Sequence, residues 1–327
     1  MDLLIRAFQI NRVIRLAADL GLADKIAPDK GMPVRDVAEA CSVKPEQLLR
    51  VFRALAAFGI FRLTPDGIVS HSPQSLRLRS DVPGSLRNAA RFFAAPGSWG
   101  AWAALDAALY GKVPFEAAWN KSRFEYLSEH PDEARLYDDF MAQFPDNRHI
   151  AIANGYDFSD IELIADIGGG SGETLRHILT RFDKPRGIVF DRPDVAAAIP
   201  ASDRLDGRIE AVGGSLFEAI PPGADLYLLV AVLHNWPDED AIRILKAVLV
   251  AMRSDSRLLI VEQLLEPDPS LANPMTYLLD MQMMAMFGNA RERTEAEFCE
   301  LLATAGFKIG RIIPTRAPVS LLEALPE

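Results

Sequence analysis

From residue 163 the chain reads Leu-Ile-Ala-Asp-Ile-Gly-Gly-Gly-Ser-Gly and then continues into a helical stretch over 173–182. An apolar strand that empties into a glycine-rich turn and opens a helix restricts the fold severely. The glycines let the backbone turn tightly and approach a ligand closely. The helix start offers N–H groups with no partner inside the helix. Apolar segments over 163–167, 187–191, 208–212, 226–231 and 258–262 alternate with helical stretches. That alternation predicts an α/β fold, a parallel Rossmann-like sheet with helices on both faces.

Three nucleotide-type loops compete for these glycines. A P-loop requires Gly-Lys-Ser/Thr after them, which is missing. The dinucleotide fingerprint Gly-x-Gly-x-x-Gly, counted from Gly168, would place its last glycine on Glu173. The acidic-x-Gly-x-Gly-x-Gly pattern of an S-adenosylmethionine loop fits Asp166, Gly168, Gly170 and Gly172. The next strand ends at Asp191, 23 residues after Gly168. In such sheets an acid at that point accepts hydrogen bonds from ribose hydroxyls. The plainer alternative is a tight turn with a solvated acid, but strand, glycines, helix and spaced acid agree on a cofactor.

The fourth strand runs directly into Leu233-His234-Asn235-Trp236 and then Pro237-Asp-Glu-Asp. Ligands of open α/β sheets bind at the carboxyl ends of strands. A lone histidine is usually structural; this address is what singles out His234. The proline and acids that follow fit a helix start, where the dipole favours negative charge, and they are not read as metal ligands.

The 327 residues suffice for one large domain and a smaller one. Charge divides them. Residues 1–100 hold 14 Lys+Arg against 9 Asp+Glu, the remainder 21 against 36, so a basic unit precedes an acidic one. The overall −10 disfavours a nucleic-acid partner. Five scattered histidines and two isolated cysteines give no metal spacing and fit a reducing compartment. Asp2, Arg6 and Arg12 interrupt any leader-like run, and the longest apolar stretch, 226–233, is too short for a bilayer. A cytoplasmic chain with no membrane partner and no metal is expected.

Residues 3–20 have helical apolar spacing over a wide surface, which suggests a subunit interface. Helices over 33–41 and 44–58, with Pro33 in a first turn, and a hairpin over 60–70 with its turn at Thr64-Pro65-Asp66-Gly67 give a winged-helix order. The helix that would read DNA carries Leu48, Leu49, Val51, Phe52, Leu55 and Phe58 with only Arg50 and Arg53 charged. That is poor for phosphate and base contacts, so a dimerisation role is favoured over a ligand-sensing DNA-binding regulator. The expected domains are 1–100 and 101–327, with 101–155 as a helical bridge.

The segments Asp166–Gly172, Phe190-Asp191-Arg-Pro, Gly213-Gly-Ser-Leu-Phe217, Leu233-His-Asn-Trp236, Val261-Glu262-Gln and Arg291-Glu292-Arg-Thr-Glu-Ala-Glu-Phe298 are highly specific in combination. Over nearly its whole length the chain resembles the plant caffeate-type O-methyltransferase family and its bacterial counterparts in natural-product pathways. The resemblance implies a homodimer that moves the methyl of S-adenosylmethionine to a hydroxyl of a small, aromatic acceptor, leaving S-adenosylhomocysteine. It implies that His234 is the general base, flanked by Glu262 and Glu292. Asp191 would hold the ribose, Leu216 and Trp236 would border the adenine, and Asp280 matches an acid of the substrate pocket. Ser215 stands where the family usually has an aspartate on the adenine amino group. A hydroxyl still accepts one hydrogen bond but without charge, which predicts weaker cofactor binding. Asn235 replaces a usual aspartate, and Val230 a lysine common in plant members.

Five of the nine methionines fall within 275–286. Methionine lines adaptable apolar surfaces and packs on rings. Met283 and Met284, with Phe140 and Met141, would clamp a flat acceptor; ordinary helix core is the competing reading. A cofactor-binding relative with other chemistry, hydroxylation or decarboxylation, is the alternative function, since fold does not fix function.

Overall fold

The computed structural model describes residues 1–142 and 147–327. The chain forms two units: Met1–Ala103 with the described part of Phe124–Pro145, and Ala104–Arg123 with the described part of Asp146–Glu327. The stretch expected as a bridge is thus shared between both units, and its residues 143–146 lie outside those described.

In the first unit, helices α1 (Ala7–Asp19), α2 (Val34–Ala40) and α3 (Pro45–Ala57) precede an antiparallel pair. Strand β2 (Phe61–Leu63) pairs with β3 (Ile68–His71), and the short β1 (Met32–Pro33) joins the other side of β3. Helix α3 begins with Pro45 in its first turn and buries Leu48, Phe52 and Leu55, the i, i+4, i+7 face. Arg50 and Arg53 face solvent. Pro33 departs from expectation: it caps α2 in extended conformation (ψ 134°) because it pairs with Ile68 in the sheet. Ahead of α1 and at its start, Leu3, Leu4, Ile5 and Phe8 are exposed, Leu4 to 72%. Large side chains left bare in such a group mark an association surface more than a solvent face.

The second unit is built on a seven-stranded sheet. Its strands are β4 (Leu163–Ile167), β5 (Arg186–Asp191), β6 (Ile209–Gly213), β7 (Leu226–Val230), β8 (Arg257–Glu262), β11 (Phe307–Pro314) and β12 (Ser320–Pro326). The order is β11-β12-β8-β7-β4-β5-β6. The five expected strands form the parallel part, and the two C-terminal strands add antiparallel pairings at one edge. Side chains alternate between faces: Ile167, Leu229 and Ile260 enter one core, and Ile164, Leu228 and Leu259 the other. Both faces are covered, so these strands read as continuous apolar runs rather than alternating ones. Helices α4 (Arg148–Gly155), α5 (Glu173–Arg181), α6 (Asp238–Ala251), α7 (Pro274–Phe287) and α8 (Glu295–Ala305) complete the part used below, with a short parallel pair of β9 (Leu264–Leu265) and β10 (Arg293–Thr294).

The chain enters the sheet at β4, moves outward to β6, then returns to the other side of β4 as β7. The strand order therefore reverses between β4 and β7. Their carboxyl ends open the crevice in which such sheets hold ligands. No helix among the described residues is long and apolar enough to cross a membrane.

Candidate active site

The glycine loop leaves β4 on one side of this crevice. Gly168, Gly170 and Gly172 all have positive φ (77°, 56° and 79°), which L side chains rarely adopt. A Cβ on Gly168 would sit 2.8 Å from a Val232 methyl, whereas one on Gly170 would meet open space. The loop is tied to the neighbouring strand. Gly168 N–H donates to Phe190 O at 2.7 Å, and Gly170 N–H donates to Asp191 Oδ2 at 2.9 Å. Behind the loop, Asp166 is 0% exposed, and neither carboxylate oxygen has a hydrogen-bond partner among the described residues. Burial, and then the charge of Asp191, push its pKa up to about 7. A buried acid without a donor, beside an open glycine, suits a ligand that brings donors or positive charge. These residues therefore fit S-adenosylmethionine, whose α-ammonium is a charged hydrogen-bond donor.

A second wall follows β6. Ser215 Oγ accepts from Phe217 N–H at 3.3 Å, which shapes the loop. Leu216, Phe217 and Trp236 are partly buried against one core face, and Phe217 meets Trp236 edge-on at 4.8 Å.

The third wall holds His234. At the end of β7, Ala231 has φ +54°, a costly conformation that a non-glycine residue adopts only where its surroundings enforce it. The chain then makes a single 3-10 turn, Leu233–Asn235. His234 Nδ1 lies 2.8 Å from Glu262 Oε2 and 3.3 Å from Glu292 Oε1. The first is an ion-pair distance rather than a straight hydrogen bond. Glu262 ends β8, the strand next to β7, and its Oε1 accepts from Leu233 N–H (2.9 Å) and His234 N–H (3.4 Å). Glu292 immediately precedes β10 and is brought in by the β9–β10 pairing. Asp280 of α7 holds Glu292 in turn, its Oδ1 accepting from Glu292 N–H at 2.9 Å.

Burial opposes charge on His234, but Glu262 and Glu292 outweigh it and hold the imidazole above its usual pKa. Burial likewise opposes the charge of Glu262, yet His234 and then Arg148 keep it below the usual carboxylate range. For Glu292 burial dominates; with the like charges of Glu262 and Asp280 it overcomes His234 and pushes the carboxyl up to about 7. The cluster therefore holds an imidazolium-favouring pair and a second carboxyl poised to change protonation near neutrality.

Helix α7 packs beside the His234 turn and carries Met283, buried, and Met284, partly buried. Phe140 and Met141 belong to the first unit. There Phe140 is 2% exposed and stacks on Phe92 at 4.3 Å, with Met141 against the same cluster. The structure thus gathers His234, Glu262, Glu292 and Asp280 in one group. Asp166, Gly168, Gly170 and Asp191 form another, and Ser215, Leu216 and Trp236 line one wall. Two charged residues escaped the sequence reading. Arg148, buried at the start of α4, adds positive charge favouring Glu262 and Glu292. Arg293 is completely buried behind the His234 turn. It lies inside the Arg291–Phe298 segment already singled out, but an arginine in so charged a run reads as solvated.

A parallel sheet with an antiparallel terminal pair, a glycine loop after its first strand and an acid closing its second define a class I, Rossmann-like methyltransferase. Residues 102–308 match the family model described as an O-methyltransferase domain, and residues 3–80 match the O-methyltransferase dimerisation domain. The chain belongs to this plant-type O-methyltransferase family, in its bacterial natural-product branch, and is an S-adenosylmethionine-dependent O-methyltransferase. It is 35% identical to a phenazine O-methyltransferase, PhzM, of Lysobacter antibioticus, over 99% of this chain and 94% of that one. Among solved structures, LaPhzM superposes with a TM-score of 0.91 at 34% identity, covering 99% and 98% of the two chains. NcsB1, an O-methyltransferase of neocarzinostatin biosynthesis solved with S-adenosylmethionine and 2-hydroxy-5-methyl naphthoic acid, gives 0.82 at 29% identity, covering 97% and 96%.

Proposed function

We propose that His234 is the general base for methylation of a hydroxyl on a small aromatic acceptor, and that the enzyme works as a homodimer. The carrying observation is the imidazole at the crevice with Nδ1 against two buried carboxylates. Bound S-adenosylmethionine supplies a methyl group on a sulfonium, which an oxygen attacks in line. Asp191 would accept from the ribose hydroxyls, Asp166 would face the α-ammonium, and Gly168 and Gly170 would let the backbone come close. Leu216 and Trp236 would flank the adenine, and Ser215 would offer it one neutral acceptor where an acid would offer charge.

With both carboxylates on the Nδ1 side, Nε2 is the atom that takes the acceptor's proton. A phenol ionises near pH ~10 and a free imidazole near ~6.5, so prior deprotonation would cost about 5 kcal/mol. The proton therefore moves to Nε2 as the oxygen attacks. Glu262 and Glu292 raise the imidazole's affinity for that proton and so narrow the gap. Glu262 also stabilises the imidazolium once formed.

Met283 and Met284 supply an adaptable apolar surface for the ring, and Asp280 stands beside them on α7. The aromatic reading also draws on the phenazine and naphthoic acid in the names of the relatives. The homodimer draws on the dimerisation-domain match and on the exposed Leu3, Leu4, Ile5 and Phe8.

The test has two parts. Calorimetric titration with S-adenosylmethionine and S-adenosylhomocysteine should give one site per subunit. His234→Ala should then lower turnover of the best hydroxyarene in a phenolic panel about 10²-fold or more while product binding persists. Near-normal turnover would remove His234 as the base.

A further inference from the structure

We propose that Arg293 is a positioning residue that sets the imidazole of His234 against Glu292 by gripping the backbone of the His234 turn; this rests on His234 being the base. The guanidinium is 0% exposed. Its Nη1 donates to Leu233 O at 2.9 Å, and its Nη2 donates to Trp236 O at 2.9 Å. Nε and Nη2 donate to Asp238 Oδ1 at 3.0 and 2.8 Å. The two carbonyls bracket His234 and Asn235. Leu233 O also accepts from Trp236 N–H at 3.2 Å within the turn, and the planar fork of arginine reaches both carbonyls at once. From the opposite side Glu262 Oε1 takes the amides of Leu233 and His234. The turn is therefore clamped through its N–H groups by one carboxylate segment and through its C=O groups by the other.

This explains how Glu292 keeps its place. It stands 3.3 Å from Nδ1, and neither of its oxygens has a hydrogen-bond partner among the described residues. Its separation from the imidazole must be fixed through the backbone. Asp280 fixes one side by accepting Glu292 N–H. Arg293, the very next residue, fixes the other by joining that strand to the His234 turn, 60 residues away in sequence. A buried guanidinium is costly unless paired, and Asp238 pairs it.

The charges that reach His234 are Glu262 from β8, Glu292 from ahead of β10 and Arg148 from α4. If Arg293 loosens, Glu292 is the one set free to move. Its raising influence on the imidazole falls, so the imidazole titrates at lower pH. A purely structural arginine would lower thermal stability without moving that titration.

Arg293→Lys keeps the charge and loses the fork. Turnover per S-adenosylhomocysteine-binding site, counted by calorimetry, should fall about 10- to 100-fold, the scale of a 1 Å misplacement. The dissociation constant for S-adenosylhomocysteine should stay within about twofold, the fall appearing in kcat. The acidic limb of kcat, and the His234 imidazole followed by NMR in ¹⁵N-histidine-labelled enzyme without acceptor, should both shift to lower pH. Asp238→Asn, which keeps both carbonyl contacts, should shift them the same way by less, and it decides the matter if the lysine variant fails to bind S-adenosylhomocysteine. An unmoved imidazole titration and unchanged turnover per site in the variants that bind would overturn the proposal. A near-normal His234→Ala enzyme would instead defeat the general-base reading, which the NMR titration does not depend on.

Discussion

Glu262→Gln isolates the charge of one carboxylate from its architecture. The amide keeps an oxygen for the Leu233 and His234 N–H groups, so the turn should hold its shape. What is lost is the charge 2.8 Å from Nδ1. An opposite charge this close shifts a pKa by about 1–2 units, or about 1.4–3 kcal/mol, and each ~1.36 kcal/mol is a factor of ten in rate. The plateau kcat should therefore fall between about 10- and 150-fold. The lower end is expected, because Glu292 buffers the loss. Burial and the charge of Glu262 help to hold Glu292 near 7; without Glu262 it ionises more readily and takes over part of the work. The double variant Glu262→Gln/Glu292→Gln should then lose more than the product of the single losses. The pH profile supplies a second, signed readout. Activity requires neutral Nε2, so it rises as pH passes the His234 pKa. Glu262 raises that pKa, so its removal moves the acidic limb to lower pH. The assay is initial rate against pH at saturating S-adenosylmethionine, with S-adenosylhomocysteine affinity as the control for an intact site. A plateau within about twofold of the parent, or a limb displaced to higher pH, would refute this account of the pair.

Two further outcomes follow from the same geometry. Asp166 titrates at about 7 in the fold against 3.8 for the free side chain, so its contribution favours folding below about pH 4 and is lost as pH rises through 7. Asp166→Asn should accordingly raise the Tm of the cofactor-free protein at pH 8, by roughly 2–4 °C for each kcal/mol regained, and at the same time weaken S-adenosylmethionine binding; a variant with lower Tm and unchanged affinity would contradict both readings. Phe8→Glu places a charge on the exposed N-terminal surface and should weaken dimerisation at least tenfold by analytical ultracentrifugation, with the monomer's secondary structure intact; an unchanged dimer would move the interface elsewhere.

The comparison of sequence and fold turns on which forces are local. Glycines needing positive φ, Pro45 opening α3, Pro237 ahead of α6 and five apolar strands each report a requirement of a few consecutive residues. The parallel strands accordingly lie within a residue of where the pattern put them. The spacing from Gly168 to Asp191 was legible for the same reason, because β4 and β5 are neighbours in both chain and sheet. Pro33 was misplaced by one position because its conformation is set by Ile68 across a strand pairing, which no local rule contains.

Local pattern in the chain was thus enough to locate the parallel strands, the cofactor loop and, through motif resemblance, the three catalytic candidates. Their protonation and their supports came from long-range packing. Burial beside Glu262 and Asp280 lifts Glu292, and enclosure lifts Asp166. Packing also made Arg293, a motif residue to which the sequence assigned no role, into a clamp on residues 55 and 60 positions away, and set Phe140 into the core of its own unit. The physical reason is that desolvation and charge pairing depend on the whole set of segments enclosing a group, and that set exists only once the chain has folded.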